Sequence, residues 1–201
     1  MSSLEALESM LQRTDRQVLH LDALGTRDQP GFAALANAWT SQRGTSLTPD
    51  ADTFDLIEIG QCLENAVRLS VDDQKTATFR FVGPAVCARL QGDPTGMNLF
   101  DCIQHLPLDG PAILQSALET PAGLHVVYEM AYMSSRRTKN RGLYLPLLSK
   151  KNGCAQVFGM HAAGNTTNYV GEASTRVAAT ELVSANWIDL GAGVPANPLP
   201  C

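Results

Sequence analysis

The 201-residue chain has no run of apolar residues long enough to span a bilayer, which takes about 20. Its opening, MSSLEALESMLQRTDR, lacks both the basic start and the apolar core of a secretory signal. From these two absences we expect a soluble cytoplasmic protein. Neither sign of charge dominates: the formal net charge is -5, with acids and bases scattered. That balance disfavours nonspecific binding to DNA or anionic lipid, so no nucleic-acid or membrane partner is expected. Cysteine is sparse and odd in number: Cys62, Cys87, Cys102, Cys154 and Cys201. Without clustered spacing, these suit free thiols in a reducing compartment.

Catalytic signatures are missing as well. The chain has no Gly-x-Ser-x-Gly elbow, no phosphate loop and no zinc-protease motif. Gly191-Ala192-Gly193 lacks the third glycine and the strand–helix setting of a dinucleotide site. No nucleophile–base pair is visible, so no catalytic residue is assigned and the expectation is a non-enzymatic protein. Cys102-x-x-His105 offers two ligands where a structural zinc site takes four, and a second pair is absent, so no metal site is assigned.

What is there is an ordinary globular balance, 44% hydrophobic and 17% charged residues. The length fits one domain with extensions and can bury a core without a metal or disulfide. Leu4, Leu7, Leu11, Thr14, Val18 and Leu21 fall at spacings of three and four, which predicts a helix over 3–24. Such a heptad-like seam packs either on its own domain or against a second copy, as a dimer helix. Further helices are expected over 31–42, from Pro49 through Ile59, over 84–90, 98–103 and 108–118. Alternating or β-branched stretches predict strands over 65–71, 76–82, 124–133, 142–148 and 155–162. In the second strand Phe79 and Phe81 are expected on one face, with Thr78, Arg80 and Val82 on the other. Arg80 reads as an exposed strand charge or as a partner for an acid or carbonyl. Asn152-Gly153 signals a hairpin turn, and 164–180 reads as a surface excursion before a short apolar return over 181–190. Two strands, then helices, then three strands predict an α+β fold: a five-stranded antiparallel sheet with short helices over one face and a cavity between.

The order of these pieces resembles the PAS domain, in particular a divergent family of small bacterial stand-alone members. The residues that carry the resemblance are Trp39 with Arg43-Gly44, the Pro49–Ile59 stretch, Phe79-Arg80-Phe81-Val82-Gly83, and Asp93-Pro94-Thr95-Gly96 with Leu99-Phe100. Leu145-Pro146-Leu147 and Val157-Phe158-Gly159 look like the family's fourth and fifth strands. It implies an N-terminal dimerisation helix over 1–29, a PAS-like domain over 30–163 and a C-terminal extension over 164–201. It also implies a sensory or interaction module. With no room for an output domain after it, such a module would signal by contact with a partner protein, as a homodimer.

PAS domains hold haem, flavin, small acids or nothing, so the resemblance leaves the cofactor unknown. Gly96-Met97-Asn98 is followed by Leu99 where light-sensing members carry a reactive cysteine. His105 is the best candidate for a haem ligand; His125 and His161 lie on strands and face either way. For a small organic ligand the candidate liners are Leu90, Phe100, His105, Tyr128, Met130, Tyr144 and Met160, the alternative being a filled core with no ligand.

Overall fold

Three long strands frame the sheet: β4 (Ala122–Tyr132), β5 (Arg137–Leu148) and β6 (Ala155–Ala162), antiparallel neighbours in chain order. β2 (Ala66–Val71) pairs with the outer edge of β6, and β3 (Ala77–Val82) pairs with β2. These are the five expected strands. β5 starts earlier than expected, because Thr138 and Asn140 turn inward and are buried while Arg137, Lys139 and Arg141 stay exposed. That alternation lets a polar stretch join the ladder.

A sixth long strand, β8 (Val177–Asp189), lies antiparallel on the free edge of β4. β1 (Val18–His20) closes that edge in parallel, and the two-residue β7 (Thr166–Thr167) pairs with β5. The order is β1-β8-β4-β5-β6-β2-β3. This computed structural model describes residues 18–21, 29–74, 76–102, 109–133, 136–151, 154–162, 164, 166–167, 177–197 and 199. The reading of 164–180 as a surface excursion is therefore corrected at both ends. An uncovered β4 would leave a row of backbone donors and acceptors unpaired, and β8 satisfies them.

The predicted helix over 3–24 needs a similar correction. Leu4, Leu7 and Leu11 lie outside the described residues, as do His105 and the Asn152-Gly153 turn. Val18 is not on a helical seam: it sits in β1, paired with Trp187. Leu21 packs against the domain's own core. The open edge of β8 offers hydrogen bonds that override local helical spacing.

Helices cover both faces. α1 (Pro30–Arg43) begins with proline, whose missing N–H is no loss in a first turn, and ends at Gly44. It presses Phe32, Leu35 and Trp39 onto Leu143, Leu145, Phe158 and Met160 of the sheet. The Trp39 Nε1–H donates to the Pro146 carbonyl at 2.8 Å, and Arg43 lies over the Trp39 ring while donating to the Leu190 carbonyl at 2.7 Å. A 3-10 helix (Ile57–Asn65) extends this layer. The expected helix from Pro49 starts late: Leu148 and Pro49, then Ala51 and Leu148, exchange backbone hydrogen bonds, and Asp50 caps the turn through Asp52 N–H.

On the other face sit α2 (Pro84–Leu90), α3 (Leu99–Cys102) and α4 (Gly110–Glu119). Asp109 caps α4 by accepting from Ala112 N–H at 3.1 Å. The loop before α3 runs along β3: Phe79 N–H donates to Met97 and Gly96 N–H to Phe79. Gly96 takes a positive φ of 86° there, as expected for its turn. Gly83 does not need glycine's angles, since its φ is -67°. It needs the absent side chain, because a Cβ would lie 2.2 Å from the Leu63 carbonyl oxygen.

Two bulges decide which side chains face which layer. The β2–β3 register skips Arg80, so Phe79 and Phe81 do not share a face: Phe79 joins the α2–α4 side and Phe81 the α1 side. Arg80 is exposed and donates to Ser70 Oγ at 2.7 Å. The β4–β8 register skips Val183, so Leu182 and Ala185 both turn to the α2–α4 side.

Candidate functional site

Between the sheet and α2–α4 lies a cavity of ≈ 220 Å³. Its floor comes from Val67 and Leu69 of β2, Phe79 of β3, Leu124, Val126, Tyr128 and Met130 of β4, Tyr144 of β5, His161 of β6 and Leu182 of β8. Val86, Arg89 and Leu90 of α2, Leu99, Phe100 and Cys102 of α3, and Ile113 and Leu114 of α4 form its roof. Period-two alternation delivers the strand residues: along β5, Leu143, Leu145 and Leu147 go to α1, and Tyr144 goes to the cavity.

The Tyr144 ring lies flat on the sheet because two glycines make room for it. A Cβ on Gly159 would stand 2.6 Å from the ring, and one on Gly142 2.7 Å. Replacing Gly159 by alanine should push this ring into the cavity and cost about 1–3 kcal/mol of stability, as overpacking does. Thermal melts check the loss; a melt unchanged from wild type would show that the ring has another place to go.

One end of the cavity is polar. Tyr128 Oη lies 3.0 Å from His161 Nδ1 and Tyr144 Oη 3.4 Å from His161 Nε2. Burial pushes the His161 pKa down to about 3, and the Arg89 guanidinium adds to the fall. Burial pushes Tyr128 up to about 12, against the opposing pull of Arg89. Burial also raises Tyr144 well above the ordinary phenol range, with Tyr128 adding and Arg89 opposing. At neutral pH the three groups are therefore uncharged and linked as a hydrogen-bonded chain. Arg89 Nη1 donates to Asn65 Oδ1 at 2.9 Å, while its Nη2 is shut off from solvent and has no partner among the described residues.

Of the residues expected to line a pocket, Leu90, Phe100, Tyr128, Met130 and Tyr144 stand around this cavity. Met160 does not: it is fully buried on the opposite face, against α1. Its neighbours in β6 alternate, so His161 takes the cavity side. His125 faces the α1 side, edge-on to Phe32. Arg89 and His161 are the polar groups that the sequence reading did not assign to the pocket. The signal for Arg89 was its spacing of three from Val86 on one helical turn. Nothing in sequence fixes the β5–β6 register that sets His161 opposite Gly142.

A cavity of about 150 Å³ holds benzene, so one of ≈ 220 Å³ is of the size of a small organic molecule. His161 has both ring nitrogens engaged and offers no spare lone pair to iron. Cys102 lines the cavity, its thiol pKa raised by burial and by Asp101. No cluster of three or more His, Cys, Asp or Glu side chains able to hold a metal occurs among the described residues.

The antiparallel sheet with short helices closing a small cavity is the architecture of a sensory-domain class, and sequence comparison agrees. The PAS domain family matches residues 27–162, and the chain belongs to that family. No curated protein matches it. PAS domains are in general sensory or interaction modules. No helix among the described residues is long and apolar enough to cross a membrane.

Proposed function

We propose that this PAS domain is a cytoplasmic, non-enzymatic sensor that takes a small, mostly apolar molecule between its sheet and α2–α4 and signals by contact with a partner protein. The cavity carries this reading: it is apolar over most of its lining and polar at one end, the usual character of a small-molecule site. Binding is favoured over turnover by the protonation states. A general acid or base works best with a pKa near ambient pH, and His161 at about 3 and Tyr128 at about 12 stand far from it.

The route outward runs through β8. Thr180, Leu182 and Ala185 line the cavity, and the same strand pairs with β1, which leads from the N-terminal segment. A ligand that packs on β8 would alter how firmly β1 is held, and with it the contact made with a second copy or a partner protein. Hydrogen exchange tests this on the full chain. Filling the cavity with a small apolar alcohol such as heptanol should slow exchange at β8 and at Val18–His20. Binding without any change at β1 would overturn the route, and failure of every small apolar compound to bind would overturn the sensor reading.

A further inference from the structure

The cavity's hydrogen-bond inventory is unbalanced, and the imbalance names a ligand class. A neutral imidazole has one donor and one acceptor. Set between two tyrosine hydroxyls, it takes one O–H and gives its N–H to the other oxygen. Two hydroxyl hydrogens were available and only one is used, so one tyrosine O–H is left over. The imidazole tautomer decides which of the two, Tyr128 at 3.0 Å or Tyr144 at 3.4 Å, keeps the spare hydrogen. Arg89 adds a second donor group: the residue lines the same cavity, and its Nη2 is out of reach of solvent and unpartnered among the described residues. Among the described residues no Asp or Glu lines the cavity to neutralise it. Arg89 is only half-buried and its Nη1 is bonded to Asn65, but a charged group's donor left unsatisfied out of water, as Nη2 is, is costly until an acceptor meets it.

We propose that the ligand is a small apolar monocarboxylate, its carboxylate held by Arg89 Nη2 and the spare tyrosine hydroxyl, and its hydrocarbon body lying along Val67, Leu69 and Leu182. A guanidinium donor and a hydroxyl donor lining one cavity match the two oxygens of a carboxylate. Scaled from the benzene-sized cavity, ≈ 220 Å³ takes about nine non-hydrogen atoms. A seven-carbon acid is of that size. This inference rests on the sensor reading, and deepens it.

The test is calorimetry on the full chain at neutral pH with three probes of equal chain length: heptanoate, heptanol and heptylamine. Heptanoate should bind most tightly and heptylamine least. Arg89→Met should weaken heptanoate by roughly ten- to a hundredfold, the loss expected for a hydrogen bond to a charged group, and leave heptanol unchanged. One of Tyr128→Phe and Tyr144→Phe, the one that removes the spare hydroxyl, should weaken heptanoate by about two- to tenfold. Equal affinity for heptanoate and heptanol, or a preference for the amine, would overturn the carboxylate class and leave the sensor reading standing. Binding of none of the three would remove both. If Arg89→Met fails to fold, the three-probe comparison on the wild type still decides.

Discussion

Replacing Trp39 by alanine should destabilise the fold by about 3–5 kcal/mol, the range for deleting a buried aromatic ring. Trp39 is 1% exposed and stands at the centre of the contact between α1 and the sheet. Three losses combine. The ring leaves a void among Leu145, Phe158 and Phe32 that close-packed neighbours fill only in part. The Pro146 carbonyl loses its indole donor. Arg43 loses the ring beneath it, and with that part of the constraint that aims it at Leu190. For a chain of this size each kcal/mol moves the melting temperature by about 2–4 °C, so a fall of roughly 10 °C is expected. Trp39→Phe keeps most of the packing and should show a smaller loss. A shift of under about 3 °C for Trp39→Ala would mean that α1 contributes little to holding the sheet.

Acidification is the second large effect. The His161 pKa falls from 6.5 to about 3 on folding, chiefly through burial. Between those values the unfolded chain binds the proton and the folded one does not. Stability is therefore unaffected by this group above about pH 6.5, and declines as pH falls from there toward 3. Its full contribution to the slope is about 1.4 kcal/mol per pH unit. His125 acts in the same direction, since burial and then Arg141 lower its pKa. The two are separated with His161→Gln, whose amide retains a donor and an acceptor for the two tyrosines but does not titrate. Urea unfolding between pH 6.5 and 4.5 should show a shallower decline for the variant than for the wild type. Identical declines would show that His161 takes up its proton in the fold as readily as outside it.

Much of the fold was legible because it rests on local chemistry. Proline at the first turn of α2, glycine at the turn before α3, and the strand pattern over 142–148 of β5 each act over a few residues. The five central strands appear where β-branched and alternating stretches predict them. The errors share one cause. The N-terminal spacing favours a helix, yet Val18–His20 is a strand because β8 offers an edge. Phe79 and Phe81 alternate in the sequence, yet a bulge at Arg80 sends them to opposite layers. Met160 was expected to line the pocket while His161 was left facing either way, and strand pairing alone put His161 there instead.

The sequence by itself determined the family, the antiparallel sheet with its covering helices, and several apolar walls of the cavity, since periodicity and turn chemistry are written in neighbouring residues. Only the tertiary structure decided the sixth strand, the two bulges and the polar end of the cavity. Tyr128, Tyr144, His161 and Arg89 come from three strands and a helix. Their meeting depends on register, and register is set by how whole strands pair and pack rather than by any one stretch of chain.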